Sequence, residues 1–175
     1  QVCCGSLMGH NGDMEFALKL ARKNIDEFDK HDYDFLLSNS AGCGAFMKDY
    51  AHLLEDDPAY AEKAKRFSSK VKDVMEFFSE QKPLPKLEHE LDLELKHITY
   101  HDACHLIHAQ KVSTQPREVI KSLPGVEYAE LGEASWCCGS AGIYNITQPE
   151  MSARVGDTNG SKAWTSIPKA RHRPA

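Results

Sequence analysis

The sequence lacks the features of a membrane-spanning, secreted or nucleic-acid-binding protein. No apolar run approaches the roughly 18 residues that a helix needs to cross a bilayer, and no secretory signal opens the chain. The net charge of −5 argues against a broad nucleic-acid-binding surface, because such a surface needs excess positive charge. Any contact with a membrane is therefore expected to come through a partner.

Cysteine is also scarce, but most of the cysteines are clustered in the sequence. Six cysteines in 175 residues are too few for a disulfide-stapled miniprotein. Four of them form two Cys-Cys-Gly-Ser tetrapeptides, Cys3–Ser6 and Cys137–Ser140, and the other two are Cys43 and Cys104. Their association with Gly, His and Asp indicates a reducing compartment and metal ligands. Buried inert thiols are the alternative.

Two adjacent cysteines cannot both face one ligand in regular secondary structure, because adjacent side chains point to different faces. Gly139 follows the second pair, and glycine tolerates a positive φ and a close approach by other groups. The second pair is therefore predicted to lie on an irregular turn. The first pair precedes Gly5 and repeats the pattern.

Helical and strand patterns alternate along the chain. Apolar residues at helical spacing predict helices over Met14–Phe28, Phe46–Leu54, Asp57–Phe78 and Pro116–Leu123. Asn11–Asp13 is predicted to cap the first of these helices. A capping pattern at Thr147–Glu150 predicts the start of another helix. Short apolar runs predict strands over Tyr33–Leu37, Leu93–Tyr100 and Val126–Leu131. This alternation predicts an α/β fold of two similar Rossmann-like halves, with short parallel strands and flanking helices.

The cysteines fall at the ends of these predicted strands. Cys43 lies where the first strand gives way to a helix, Cys104 follows the second strand, and the second Cys-Cys pair follows the third. Ligand sites of parallel sheets lie beyond the carboxyl ends of the strands, and helix N-termini there lower the pKa of thiols. The thiols are therefore expected to gather on one rim of the fold.

A stretch rich in proline and acidic residues divides the chain. Residues 83–94 are predicted to be a linker between residues 1–82 and residues 95–154. Helical spacing is lost near Gly156 and basic residues follow. Residues 155–175 are therefore predicted to be a divergent, disordered tail.

Thiolate ligands suit zinc, copper(I) and iron–sulfur clusters. The Cys-x-x-Cys knuckles of structural zinc sites and the close four-cysteine run of ferredoxins are both missing. An array of His101, Cys104, His105 and His108 leaves zinc open, although His101 and Asp102 fit better as a helix cap or as hydrogen-bonding groups beside a cluster sulfur. Thiol–disulfide chemistry at the vicinal pairs is a third option, disfavoured because an adjacent-residue disulfide needs a distorted ring.

The pattern resembles the cysteine-rich CCG-domain family, in which a cysteine, a Cys-Cys-Gly motif and one or two further cysteines follow one another at long intervals. Cys104 with Cys137–Gly139 matches the first half of that pattern, and Cys3–Gly5 with Cys43 matches the second half of an earlier copy. The segments 39–50, 101–111 and 137–151 look most like the iron–sulfur subunit of glycolate oxidase (glycolate dehydrogenase). The resemblance covers residues 1–154.

The resemblance implies an electron-transfer subunit that does not bind the substrate. A partner subunit carrying FAD would oxidise a 2-hydroxy acid, and this chain would pass electrons towards membrane quinone from the cytoplasm, at the inner membrane through its partners. It implies a [4Fe–4S] cluster held by Cys3, Cys4, Cys43, Cys104, Cys137 and Cys138. Neighbours that would surround the cluster are Gly5, Gly44, His101, Asp102, His105 and Gly139. Other members of the family are lactate-utilisation and heterodisulfide-reductase subunits.

The sequence departs from the family pattern at both ends. It lacks the ferredoxin-like region, a cysteine before Cys3 and the closing Asn-Pro-Gly-Cys-like segment after Met151. Because it also begins at Gln1 without an initiator Met, the chain is expected to be part of a longer protein and to be inactive when isolated.

Overall fold

The computed structural model describes residues 2–81, 97–140 and 142–166, with side chains given up to residue 157. Within these ranges the α/β character is confirmed, since helices flank two pairs of short parallel strands. The predicted linker 83–94 lies outside the described residues, as does the end of the chain from residue 167.

The first half contains six helices and two strands in the described residues. They are α1 (Ser6–His10), α2 (Met14–Phe28), β1 (Leu36–Ser38), α3 (Ala41–Lys48), α4 (Tyr50–Leu53), α5 (Ala61–Lys70), β2 (Val71–Asp73) and α6 (Val74–Glu80). β1 and β2 pair in parallel, with Leu36 opposite Val71. Parallel pairing requires a crossover connection, and α3, α4 and α5 supply it.

α2 forms as its spacing predicts. The Asp13 side chain accepts a hydrogen bond from the Phe16 N–H at 3.1 Å, which satisfies one of the free N–H groups at the helix start. Ala17, Ala21 and Ile25 are buried along one face, so the apolar stripe packs on the core.

The predicted helix over Asp57–Phe78 is wrong in two places. Its start is later, because Asp57 forms a turn in which it accepts from the Ala59 N–H at 3.0 Å, and it is bonded to Arg22 at 2.8 Å. The helix is also interrupted by β2, whose Val71 and Asp73 are buried. Asp73 then caps α6 by accepting from the Met75 N–H at 2.9 Å. Three residues are too few to show strand alternation within a helical pattern.

The second half is smaller in the described residues. Its elements are β3 (His97–Ile98), a π-helix (His105–Ala109), α7 (Thr114–Lys121), β4 (Glu127–Tyr128), α8 (Tyr144–Thr147) and α9 (Pro149–Ser166). β3 and β4 are again parallel, with His97 opposite Glu127. β4 is shorter than the predicted Val126–Leu131, and residues 93–96 of the other predicted strand lie outside the described residues. The π-helix and α7 form the crossover between β3 and β4.

α9 continues to Ser166, into the residues 155–175 that the sequence predicts to be a disordered tail. Gly156 weakens helical spacing in the sequence, and glycine disfavours a helix by about 1 kcal/mol relative to alanine. In the structure a Cβ at Gly156 would lie 3.4 Å from the Cys138 carbonyl oxygen. The glycine therefore lets α9 pass close to the second Cys-Cys pair.

The main core lies in the first half, between α2, α3, α5 and the β1–β2 pair. Its buried residues are Cys4, Ala17, Ala21, Ile25, Leu36, Phe46, Met47, Tyr50, Leu54, Ala64, Phe67 and Val71. The second half contacts it where the Gln110 amide donates to the Ala41 carbonyl at 2.9 Å. In the part of the chain that the structure describes, no helix is long and apolar enough to span a membrane.

Candidate metal centre

Three cysteines from two distant segments lie near one another in the first half. Cys4 is buried and Cys43 is half-buried, and Cys43 is close enough to the Cys4 thiol to raise its pKa. Cys3 is exposed and close enough for its charge to act on the Cys4 thiol. Cys43 belongs to the first turn of α3, after β1 has ended at Ser38, so the strand-to-helix junction places it as the sequence predicts.

Gly5 makes the irregular turn after the first pair. Its φ is +89°, and a Cβ there would lie 3.0 Å from the Ala17 carbonyl oxygen and 3.3 Å from the Phe46 ring. A positive φ disfavours any L-residue with a side chain. The turn after Cys4 therefore depends on glycine twice, for its backbone angle and for its close approach to α2.

Two buried side chains that the sequence analysis missed fix the backbone of the first pair. Asn24 donates to the Cys3 carbonyl at 3.1 Å and accepts from the Val2 N–H at 3.0 Å. The Tyr50 hydroxyl donates to the Cys4 carbonyl at 2.6 Å and accepts from Asn24 at 3.3 Å. The one sequence signal was Asn24 itself, a polar residue on the apolar stripe of α2, since buried polar groups are almost always hydrogen-bonded.

Burial raises the pKa of the Cys4 thiol to about 12, and contact with Cys43 adds to the effect although a hydrogen bond from the Ser6 backbone opposes it. The pKa of an exposed cysteine is about 8.5. Because the folded pKa lies above the unfolded one, Cys4 stabilises the metal-free fold fully below about pH 8.5. This contribution is lost as pH rises through about 12.

Cys4 should consequently resist alkylation in the metal-free native protein. With iodoacetamide at pH 8, we expect Cys4 to be modified at least about tenfold more slowly than Cys3, because the thiolate is the reactive form. Peptide mapping by mass spectrometry at timed intervals measures both rates in one sample. In denaturant the two cysteines should react at similar rates, and equal rates in the native protein would contradict the burial of Cys4.

In the second half, hydrogen bonds join the loop of Cys104 to the loop of the second pair. The backbone N–H of Asp102 donates to the Ala134 carbonyl at 2.9 Å, and the His101 ring nitrogen Nε2 lies 3.0 Å from the Trp136 carbonyl oxygen. Trp136 contributes to this contact through its backbone carbonyl. Cys104, which is half-buried, is thus tethered near the exposed pair.

The second Cys-Cys-Gly turn repeats the construction of the first. Gly139 has a φ of +83°, as its position after the pair predicts, and a Cβ there would lie 2.4 Å from the Ser152 carbonyl oxygen. Its N–H donates to the Cys137 sulfur at 3.4 Å. Each turn is followed by a one-turn helix and then a longer helix, and in each case the glycine touches the backbone of the longer helix, at Ala17 and at Ser152.

Asp102 does not act as the predicted helix cap. Its carboxylate is bound by Arg117 through two parallel hydrogen bonds of 2.8 and 2.9 Å, and no side chain caps the π-helix that begins at His105. No motif or spacing marks Arg117, which lies one helix further along the chain in α7.

The two cysteine-bearing halves face each other at His10 and His105. The centroids of these two rings are 5.3 Å apart, and His105 follows Cys104 directly. A cavity of about 430 Å³ opens beside them, lined by His10, Asn11, His105, Gly142, Ile143, Tyr144 and Thr147. Segments that follow Cys4, Cys104 and Cys138 therefore converge on one cleft.

The donor chemistry fits an iron–sulfur cluster better than a hard cation, because the side chains that converge in the first half are soft thiols. Within the described ranges, no group of three or more His, Cys, Asp or Glu side chains has the spacing of a site for one metal ion. His108 lines a separate small cavity with Cys104, His105 and Ala109.

Comparison with known proteins identifies similar sequences. A model of the cysteine-rich domain family called CCG matches residues 1–48 and 98–168. The chain is 43% identical over 162 residues to the probable glycolate oxidase iron-sulfur subunit of Bacillus subtilis (strain 168), which covers 90% of the chain and 35% of that protein. It is 35% identical over 158 residues to the glycolate oxidase iron-sulfur subunit of Escherichia coli (strain K12), covering 89% of the chain and 38% of that protein.

A third relative is lactate utilization protein A of Bacillus licheniformis, at 29% identity over 157 residues, covering 90% of the chain and 64% of that protein. The chain therefore spans little more than a third of the two glycolate oxidase subunits. No solved structure matches the chain.

Proposed function

The chain belongs to the cysteine-rich CCG-domain family, and from this premise we propose that it is the electron-transfer part of an iron–sulfur subunit in a flavin-dependent 2-hydroxy-acid dehydrogenase. Glycolate is the proposed substrate of the whole enzyme. A partner subunit carrying FAD would oxidise it, and this chain would pass the electrons on towards quinone. In this proposal the chain itself does not bind the substrate.

The observation that supports the proposal is that Cys3 and Cys43 both lie close enough to the Cys4 thiol to raise its pKa. Thiols so far apart in sequence come together because α3 starts directly after β1, and because Asn24 and Tyr50 hold the carbonyls of the first pair. In metal-free form this arrangement keeps the Cys4 thiol protonated, since burial raises its pKa to about 12. Cluster binding would release that proton, because only the thiolate is a ligand.

In the proposal all six cysteines hold iron: Cys3, Cys4 and Cys43 in the first half, and Cys104, Cys137 and Cys138 in the second. An iron–sulfur cluster bound in each half, of the [4Fe–4S] type, would supply a one-electron carrier whose potential depends on burial and on hydrogen bonds to sulfur. The chain's own contribution is to bury Cys4, to donate the Gly139 N–H to the Cys137 sulfur, and to close the turns at Gly5 and Gly139.

The two βαβ units fit two related Rossmann-like halves, each a part of one CCG repeat. In this proposal residues 1–82 end the first repeat, residues 83–94 link the repeats, and residues 95–154 begin the second. Both halves place a Cys-Cys-Gly turn against the backbone of a longer helix, which supports the repeat. The protein is proposed to work in the cytoplasm and to reach the inner membrane through its partners.

Anaerobic reconstitution of the chain with iron and sulfide tests the function. We expect iron and sulfide to bind together, with sulfur-to-iron charge-transfer absorbance and an electron paramagnetic resonance signal after reduction. Cys43→Ser should remove the signal of the first half and Cys104→Ser that of the second, because each replaces a soft ligand with a poor one. Each variant is thus the matched control for the other.

The outcomes separate this function from its alternatives. Binding of zinc alone, without sulfide, would contradict the electron carrier and support a zinc-stabilised interaction module. A reconstituted cluster that glycolate oxidase flavin subunits cannot reduce would point instead to a lactate-utilisation or heterodisulfide-reductase-like protein of the same family.

A further inference from the structure

Gln110 lies at the contact between the two halves, and it is a polar side chain in a buried place. It is only 9% exposed. Its Nε2 donates to the Ala41 carbonyl at 2.9 Å, at the start of the helix that carries Cys43. Its Oε1 is buried and has no hydrogen-bond partner among the described residues.

The Gln110 amide contacts α3 on a different face from Cys43. At 3.6 residues per turn, Ala41 and Gly44 share one face of the helix, whereas Cys43 and the buried Met47 share a neighbouring face. A Cβ at Gly44 would lie 2.9 Å from Nε2 of Gln110. The absence of a side chain at Gly44 therefore lets the amide press directly on the backbone of the Cys43 turn.

The backbone on both sides of Gln110 is irregular. The residue follows the π-helix His105–Ala109, a form that is rare and frequent at functional sites. Lys111, directly after it, has a φ of +61°, which disfavours a residue with a long side chain. Val112 is then buried again, so the chain holds the strained residue between two buried side chains.

Stability alone does not account for a glutamine here. A buried acceptor without a partner destabilises the fold, whereas an apolar side chain of the same length would fill the space without that penalty. The Ala41 carbonyl is moreover inside the first turn of α3, where helix geometry already supplies a donor four residues on. The amide bond to Ala41 therefore adds orientation to α3 more than it adds stability.

We propose that Gln110 is a positioning residue for Cys43: by binding Ala41 across the junction of the two halves, it holds the first turn of α3 so that the Cys43 thiol meets Cys4. This inference rests on the proposed function, because the meeting of these thiols is what the cluster requires. It also links the two half-sites, since Gln110 follows Cys104 by one irregular helix.

The test measures how readily Cys4 and Cys43 form a disulfide in the metal-free full chain. Diamide is the oxidant: two thiols lose two protons and two electrons, one S–S bond forms, and diamide is reduced to its hydrazine. Peptide mapping identifies the linked pair and its rate of formation. We expect Gln110→Met to slow the Cys4–Cys43 link by about fivefold or more, because reactions between two held groups depend steeply on their placement.

Two further measurements separate positioning from stability. The melting temperature of Gln110→Met should equal or exceed that of the parent. If the Gln110 hydrogen bond served only to stabilise the fold, its loss would lower the melting temperature. Gln115→Met is the matched control, because the Gln115 side chain accepts a bond from the Ser113 N–H at the start of α7, a helix that packs on α6 and β4. It should leave the disulfide rate unchanged.

Gly44→Ala provides a second route to the same effect if Gln110→Met does not fold. Its new methyl group would displace the Gln110 amide from Ala41 while improving helix propensity, so it too should slow the link. A Cys4–Cys43 rate within about twofold of the parent in the folded variants would overturn the positioning role, because displacing a reacting group costs far more than that.

The result is distinguishable from a failure of the proposed function. If the parent binds no iron and sulfide but the disulfide rates differ as expected, the positioning role of Gln110 is supported and the proposed electron-transfer function is contradicted. If the parent assembles a cluster but the disulfide rates of parent and variant are equal, the electron-transfer function is supported and the positioning role of Gln110 is contradicted.

Discussion

Gly139→Ala should lower the free energy of unfolding by about 3 kcal/mol or more, from two separate effects. The positive φ of +83° disfavours an alanine by itself. The new Cβ would also lie 2.4 Å from the Ser152 carbonyl oxygen, which belongs to the backbone of α9 and cannot rotate away as a side chain would. The turn or the helix must therefore move, and with it the exposed pair Cys137 and Cys138.

Two other glycines provide a graded control. Gly12 has a φ of +88° but no atom within 4 Å of its ideal Cβ, whereas the Cβ of Gly5 would lie 3.0 Å from the Ala17 carbonyl oxygen. Gly12→Ala thus carries the backbone penalty alone, about 1–2 kcal/mol. Denaturant unfolding of the three alanine variants should give losses in the free energy of unfolding that increase from Gly12→Ala to Gly5→Ala to Gly139→Ala. Equal losses would show that the close contacts with Ala17 and Ser152 do not matter.

The sequence predicts the parts of the site that depend on local chemistry. A Cys-Cys pair needs an irregular backbone, and a following glycine is the residue that permits it, so the turns at Gly5 and Gly139 follow from the motif. The placement of Cys43 after β1 follows from the apolar run before it and the helical spacing after it. α2 follows from its cap at Asp13 and its stripe of small and apolar residues.

The contacts that hold these parts together are not local, and the sequence does not predict them. Tyr50 reads as one more apolar position of a helix, yet its hydroxyl binds the Cys4 carbonyl. β2 is hidden because Val71 continues the helical spacing of α5, and only its pairing with Leu36 makes it a strand. Gln110 reaches Ala41 through a π-helix, and no periodicity in the sequence marks that irregularity.

Asp102 is the clearest case in which tertiary structure changed the role of a residue. Next to a predicted cysteine ligand, its carboxylate was expected to cap a helix or to face a cluster. It does not cap the helix but binds Arg117, which also donates to Glu130 at 3.0 Å and to the Ser113 carbonyl. The hydrogen bonds that Arg117 donates to Asp102 and Glu130 raise the pKa of its guanidinium, so it stays charged. Since the Asp102 N–H binds Ala134, this ion pair clamps the two cysteine loops of the second half.

Removing one partner of this pair should therefore have a large effect. The side chains of Asp102 and Arg117 are 7% and 17% exposed, and breaking a buried pair leaves a charge without its partner. We expect Asp102→Asn or Arg117→Met to lower the free energy of unfolding by about 3–5 kcal/mol. Denaturant unfolding of the metal-free protein measures this loss.

The matched control is Glu130→Gln, which removes a carboxylate from the same guanidinium but at a side chain that is 54% exposed. Its loss should stay below about 1 kcal/mol, because solvent screens an exposed pair. The double variant with Asp102→Asn and Arg117→Met should lose clearly less than the sum of the single losses, since neither charge is then left unpaired in a buried place. Strict additivity would mean that Asp102 and Arg117 act independently, and the clamp on the loops of Cys104 and Cys137 would then have to come from the backbone bonds alone.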